Sequence, residues 1–262
     1  MKTLFTLGLV LLLDLGIYAQ NNSPELYLLF EFMQVKGEQK SEFLKAEDFW
    51  SGIHKQRVAD RSILGWNLWS LIPSGNEQGS QYLTVTLFPH LQDMLSAVES
   101  LEVMAYAKKA YPNKTEKELI LLLDKTPKTW ELAHQVLLKR IDATKSDFKL
   151  EIGTLLTMDI VKQLDDNYEK VQFGIFKPWH QQMVAEGKEG LWLLLRNILP
   201  SGAEVYGTHL TISMYKDEAQ LASFMENAGG EMDLKTQLAV KQSLRFRGLR
   251  ETKIAKLIMS AH

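Results

Sequence analysis

HKQRVADRSILGWNLWSLIPSGNEQGSQYLTVTLF, residues 54–88, decides the fold, because the chain returns to it further on. His54, Gln56, Val58, Ala59 and Trp66 reappear 126 positions later as His180, Gln182, Val184, Ala185 and Trp192. After one extra residue the match resumes at 127 positions: Pro73-Ser74-Gly75, Glu77, Leu83 and Thr84 become Pro200-Ser201-Gly202, Glu204, Leu210 and Thr211. Val85-Thr86-Leu87-Phe88 return in kind as Ile212-Ser213-Met214-Tyr215. The extra residue falls inside a strand-like run, which points to a β-bulge between Trp192 and Pro200.

Outward from this stretch, each half reads as strand, helix, hairpin of two strands, helix, strand. Glu25 to Val35 is dense in Leu, Tyr and Phe, as a strand buried on both faces should be. From Glu38 to Asp60 the apolar residues Phe43, Ala46, Trp50 and Ile53 recur at helical steps, with His54 and Arg57 on the same face. Gly52 and its counterpart Pro178 both precede a histidine by two residues, so a kink or helix restart is expected there. Gln81 to Phe88 alternates strictly, with Leu83, Val85 and Leu87 opposite Tyr82, Thr84 and Thr86. His90 to Ala110 is a second amphipathic helix, and Thr115 with Glu118 has the spacing of a capping box. Trp130 to Arg140 and Glu251 to Met259 fit a strand, the first half ends at 141, and 142–147 reads as a linker. Phe148 to Met158 then opens the second half as a strand, followed by a helix from Ile160 to Phe176.

This order gives an α+β fold of two ferredoxin-like repeats, residues 20–141 and 147–262, each an antiparallel sheet with helices on one face. If the halves pair sheet to sheet, Tyr82, Thr84, Thr86, His209, Thr211 and Ser213 line the enclosed space while the aliphatic side meets the helices. The helix–His–Trp-strand–Pro-Ser-Gly–alternating-strand order resembles the dimeric α+β barrel superfamily, including its NIPSNAP-like and antibiotic-biosynthesis-monooxygenase-like members, as a tandem duplication. That resemblance implies a fold shared by cofactor-free monooxygenases, haem-binding proteins and proteins without known activity. It carries no catalytic motif onto numbered residues.

Residues 1–19 read as an export signal, with Lys2, an apolar run from Leu4 to Leu13 and a small-residue cleavage site at Ala19. The expected location is the bacterial periplasm or outside the cell, with no stable membrane insertion after the signal is removed. Thirty basic against 32 acidic residues give no field suited to nucleic acid, and the absence of cysteine removes disulfides and thiolate metal sites. No zinc motif, phosphate loop, dinucleotide fingerprint or serine elbow is present. The expected partner is a small molecule held between the sheets by a monomer or weak homodimer. The alternatives are a cofactor-free or haem-dependent monooxygenase-like enzyme using the same cavity and a structural or interaction protein with no cavity.

His180, His54 and His209 are the candidate catalytic residues. A histidine beyond a helix break can serve as base, donor or iron ligand, or it can satisfy a freed carbonyl. Trp66, Tyr82, Thr84, Trp192, His209 and Thr211 are the candidate ligand-binding residues, and a site using His180 with His209 places the chemistry in the second half. No cofactor or metal is required, although haem is compatible with the resemblance. Arg245, Arg247, Arg250, Lys253 and Lys256 form a basic cluster expected to guard an exposed sheet edge.

Overall fold

The computed structural model describes residues 25–73, 79–99, 102–227 and 233–262. The expected signal segment, Glu77 and part of the first Pro-Ser-Gly turn lie outside the described residues. Among those described, no helix is long and apolar enough to cross a membrane.

Eight antiparallel strands close into a barrel. They are β1 (Tyr27–Gln34), β2 (Gly65–Ile72), β3 (Tyr82–Phe88), β4 (Glu131–Ala143), β5 (Leu155–Gln163), β6 (Leu191–Leu199), β7 (His209–Tyr215) and β8 (Arg247–Ala261). Their order around the barrel is β1-β3-β2-β8-β5-β7-β6-β4. The first half therefore runs β4-β1-β3-β2 and the second β8-β5-β7-β6, joined where β2 meets β8 and β4 meets β6. The barrel closes, but β8 outruns one neighbour: Ile254 to Ala261 pair with β2 and Arg247 to Lys256 with β5. Arg247, Arg250 and Lys253 therefore lie where β8 is paired on the β5 side alone, as an edge guard would. The linker expected at 142–147 begins too early, because Asp142 and Ala143 still pair with Leu194 and Leu193. The bulge is present in β6: Leu137 faces Leu199 while its neighbour Leu138 faces Asn197, leaving Ile198 as the extra residue.

The side chains face the opposite way from the sequence expectation. Leu28, Phe30, Leu71, Leu83, Val85, Leu138, Met158, Leu195, Ile212 and Leu257 belong to one core cluster drawn from all eight strands, and this aliphatic set fills the barrel. Tyr82, Thr84, Thr86, His209, Thr211 and Ser213 point outward, beneath the helices. The space between the sheets is thus a packed core and not the ligand cavity. The physical reason is hydrogen bonding. A closed interior offers side-chain hydroxyls few partners, whereas a helix lying on the outer face supplies polar side chains and a boundary with water.

Helix α1 (Lys40–Ala59) covers the outer face of the first half without interruption at Gly52. A Cβ there would stand 2.3 Å from the Tyr111 hydroxyl, which donates to the Phe49 carbonyl at 2.9 Å. Gly52 therefore marks a close approach and not a helix break. Helices α2 (Leu91–Glu99), α3 (Val103–Ala110) and α4 (Glu116–Lys125) follow, and α4 opens with the Thr115–Glu118 capping box. In the second half the expected first strand lies later than 148–158, since β5 continues to Gln163. The helix then starts as α5 (Tyr168–Val171), widens into a π-helical turn (Gln172–Phe176) and restarts as α6 (Lys177–Ala185), with His180 in its first turn. Helices α7 (Glu218–Asn227) and α8 (Leu234–Ser243) precede β8.

Candidate functional site

A cavity of about 240 Å³ lies between α1 and the outer face of β1, β3 and β4. Trp50, Trp66 and Trp130 give it aromatic walls, and Glu31, Glu47, His54, Arg57, Thr84 and Gln135 give it polar groups. The chain order explains the assembly. Alternation on β1 and β3 brings Glu31 and Thr84 to the outer face as direct cross-strand partners. Helical spacing then sets Glu47, His54 and Arg57 along the underside of α1.

Glu31 accepts hydrogen bonds from Thr84 Oγ1 and Gln135 Nε2, each at 3.2 Å, while burial pushes its carboxyl above the ordinary range. Glu47 is 3% exposed, and no donor among the described residues reaches its carboxyl. Burial, reinforced by the charge of Glu31, raises it to about 8. Arg57 is also buried; its Nη1 donates to His54 Nδ1 at 3.2 Å, and its Nε has no partner among the described residues. Guanidinium can only donate, so His54 Nδ1 is the acceptor and Nε2 carries the proton. Burial, and then the Arg57 charge, hold the His54 pKa well below its usual value, keeping the ring neutral. The imidazole stacks on Trp66 at 4.9 Å and meets Trp50 at 5.8 Å, while Trp50 Nε1 donates to Thr126 Oγ1.

Of the residues expected from sequence, this cavity unites His54, Trp66 and Thr84. Tyr82 lies outside it, against Phe43 at 4.6 Å. The second-half candidates do not join it, because every lining residue belongs to the first half. His180 stacks on Trp192 at 5.1 Å and binds Glu189 through Nδ1 at 2.8 Å. His209 bonds instead to Glu169 through Nε2 and to Thr208 through Nδ1, both at 3.0 Å. Burial alone would raise Glu169, but hydrogen bonds from His209 and Arg196 hold it at about 2. The pairing of His180 with His209 in one second-half site is thus replaced by two separate polar clusters. Thr211 is buried on the outer face at the position of Thr84.

The sequence reading missed Glu31, Glu47 and Gln135 and treated Arg57 only as a member of a helix face. A signal was present. Glu31 is a lone acid in the run Leu28-Leu29-Phe30-Glu31-Phe32, and Arg57 lies on the apolar stripe of α1. Among the described residues, no group of three or more His, Cys, Asp or Glu side chains is placed to hold a metal ion.

No protein-family model matches this sequence, and no curated protein matches it either. Solved structures do. A candidate monooxygenase from Fusobacterium nucleatum is 10% identical with a TM-score of 0.58, the match covering 91% of this chain and 94% of that one. An anthrone oxidase-like protein is 13% identical with a TM-score of 0.55, covering 90% and 92%. A mutant chlorite dismutase from Candidatus Nitrospira defluvii is 9% identical with a TM-score of 0.52, covering 89% and 91%. At these identities the likeness is one of fold alone: this chain shares with these structures an α+β fold, here with eight antiparallel strands closed into a barrel.

Proposed function

We propose that the chain binds a small, partly apolar molecule in the first-half cavity beneath α1. The observation that carries this reading is Glu47, a buried carboxyl with no donor among the described residues, facing an aromatic-walled space shared with Arg57. Unpaired buried ionisable groups are costly and concentrate at binding and catalytic sites. The test is a thermal-shift screen of small aromatic fragments against the wild type and an Ala97→Phe variant, whose new ring enters the cavity from α2. Stabilising fragments should lose their effect in Ala97→Phe; fragments that stabilise both proteins equally would sink the reading.

An enzyme using this cavity for proton transfer is the second reading, favoured by a Glu47 pKa of about 8, within the useful range for an acid or base. Removing a proton from a phenolic or enolisable compound is the step such a carboxyl can carry, and the monooxygenase and oxidase names among the structural neighbours accord with it. Haem does not fit the residues present. At about 240 Å³ the cavity lies below the roughly 300–1,000 Å³ that drug-sized ligands need, and haem is larger than these, whereas a single-ring molecule is smaller. His54 also has the wrong polarity for an axial ligand: its second nitrogen accepts from Arg57, whereas a metal-bound histidine donates there to an acceptor. His180 has the right polarity through Glu189, but it does not border this cavity.

We also read the barrel as a duplicated ferredoxin-like unit, a view supported by the matching strand orders and by the His–Trp stack in each half. Export through cleavage after Ala19 belongs to the same proposal; N-terminal sequencing of the mature protein tests it.

A further inference from the structure

We infer that the first-half cavity selects an organic anion with an apolar body, and that binding the anion requires Glu47 to hold its proton. The inference rests on the binding reading above and specifies its ligand class.

The groups that converge on the cavity are donors. Arg57 brings a permanent positive charge, and among the described residues no carboxylate lies within 4 Å of it to form an ion pair. Its Nη1 is engaged by His54, and this contact fixes the histidine proton on Nε2, which has no protein partner among the described residues. Glu47, raised to about 8 by burial and by Glu31, is a neutral carboxylic acid at neutral pH and can donate. The acceptor in the group, Glu31, already receives Thr84 and Gln135 on its two oxygens. Three donors of which one is charged, with Trp50, Trp66 and Trp130 around them, suit a carboxylate or phenolate carried on a ring.

The charged and titratable groups facing Glu47 are few. Glu31 of β1 is the charge that acts on Glu47, and it acts on Arg57 as well; His54 and Arg57 of α1 line the same cavity further along the helix, and Tyr106 of α3 acts on Arg57. Thr84 of β3 and Gln135 of β4 carry no charge. Glu47 is therefore the group whose ionisation would place a second negative charge against a bound anion. A cation would have to enter beside Arg57, and a neutral ligand would leave the guanidinium uncompensated except by the more distant Glu31.

The experiment is calorimetric titration with benzoate, benzamide and benzylamine, which share one ring and differ in charge. Benzoate should bind at least tenfold more tightly than the other two, and Arg57→Gln should reduce it to the level of benzamide. Arg57→Met serves the same purpose if the Gln variant folds poorly. Between about pH 6.5 and about pH 9.5 benzoate affinity should fall by tenfold or more as Glu47 ionises. Glu47→Gln should lose that pH dependence, because an amide cannot ionise in this range. Equal or tighter binding of benzamide or benzylamine overturns the anion inference while leaving the binding reading intact, as does an unchanged pH dependence in Glu47→Gln. Failure of all three probes, while other fragments still distinguish the wild type from Ala97→Phe, also overturns the anion inference alone. If no fragment distinguishes those two proteins either, both readings fall.

Discussion

On the outer face of the first half, α1 lays Glu47 and Arg57 over Glu31; in the second half the corresponding helix positions hold uncharged residues. The register fixes the correspondence. Glu31 pairs with Thr84 and Gln135, and Asp159 pairs with Thr211 and Thr252, whose hydroxyl donates to it at 2.6 Å. Phe43 packs on Tyr82 as Tyr168 packs on His209, so one turn further along the helix Glu47 corresponds to Gln172. Arg57 corresponds to Met183, and both second-half side chains are 1% exposed. The two halves keep the same imidazole–indole stack, but His54 accepts from a guanidinium where His180 meets the carboxylate of Glu189. What differs is the underside of the helix, and the π-helical turn Gln172–Phe176 shifts that underside by one residue. The stack is thus common to a cavity-bearing half and a half with a different polar cluster. This separates the scaffold from the chemistry.

The strongest test of that separation is removal of each indole. Trp66→Ala and Trp192→Ala should each cost about 3–5 kcal/mol in urea unfolding, since both rings are fully buried. Only Trp66→Ala should alter fragment binding; a binding loss in Trp192→Ala would restore a role for the second half.

Next in size is the pH dependence of stability, which should have opposite sign in the two halves. The folded pKa of Glu47 lies above its unfolded value, so the unfolded chain releases that proton first and stability falls as pH rises from about 4.5 to about 8. At roughly 1.4 kcal/mol per pKa unit the loss is on the order of a few kcal/mol. Glu47→Gln, which installs the residue found at the corresponding second-half place, should flatten this decline in denaturation curves taken across that range. Glu169 has a depressed pKa of about 2, so its contribution is present above about 4.5 and is lost as pH falls toward 2. Glu169→Gln should flatten the acid limb alone, and more weakly, because Arg196 in that cluster is half exposed.

Smaller effects separate the two helices. Gly52→Ala should destabilise by about 1–3 kcal/mol because the new methyl meets the Tyr111 hydroxyl. A Cβ at Gly174, in the π-helical turn, meets nothing within 4 Å, and Gly174→Ala should gain up to about 1 kcal/mol. Thermal unfolding of the two variants gives the comparison, and equal shifts would mean that α1 is not held by Tyr111.

Much of the architecture could be read before any coordinates, because period and punctuation act locally. The alternation from Gln81 to Phe88, the capping box at Thr115 and the extra residue before Pro200 each specify their own neighbourhood. The direction in which a sheet face points is not local. Leu83 and Val85 share one side and Thr84 and Thr86 the other in either arrangement; closure of the barrel decides which side is sealed. The cavity was harder to read for the same reason. Glu31, Glu47, Arg57 and Gln135 come from three elements, and no spacing in the chain brings them together. His54, Trp66 and Thr84 were legible because they belong to the repeated stretch, yet repetition also drew attention to His180, whose surroundings differ. Gly52 and Pro178 looked alike as helix breakers, but only tertiary contact tells a tight approach from a restart.

The seams β2–β8 and β4–β6 make each half the other's missing neighbour. Cut apart, either half would present two unpaired strands and an oily inner surface, so neither can be shed without exposing its companion. A half held in place by such seams is free to drift chemically while remaining indispensable mechanically. Under that constraint one side of a barrel can refine a pocket as the other becomes its buttress.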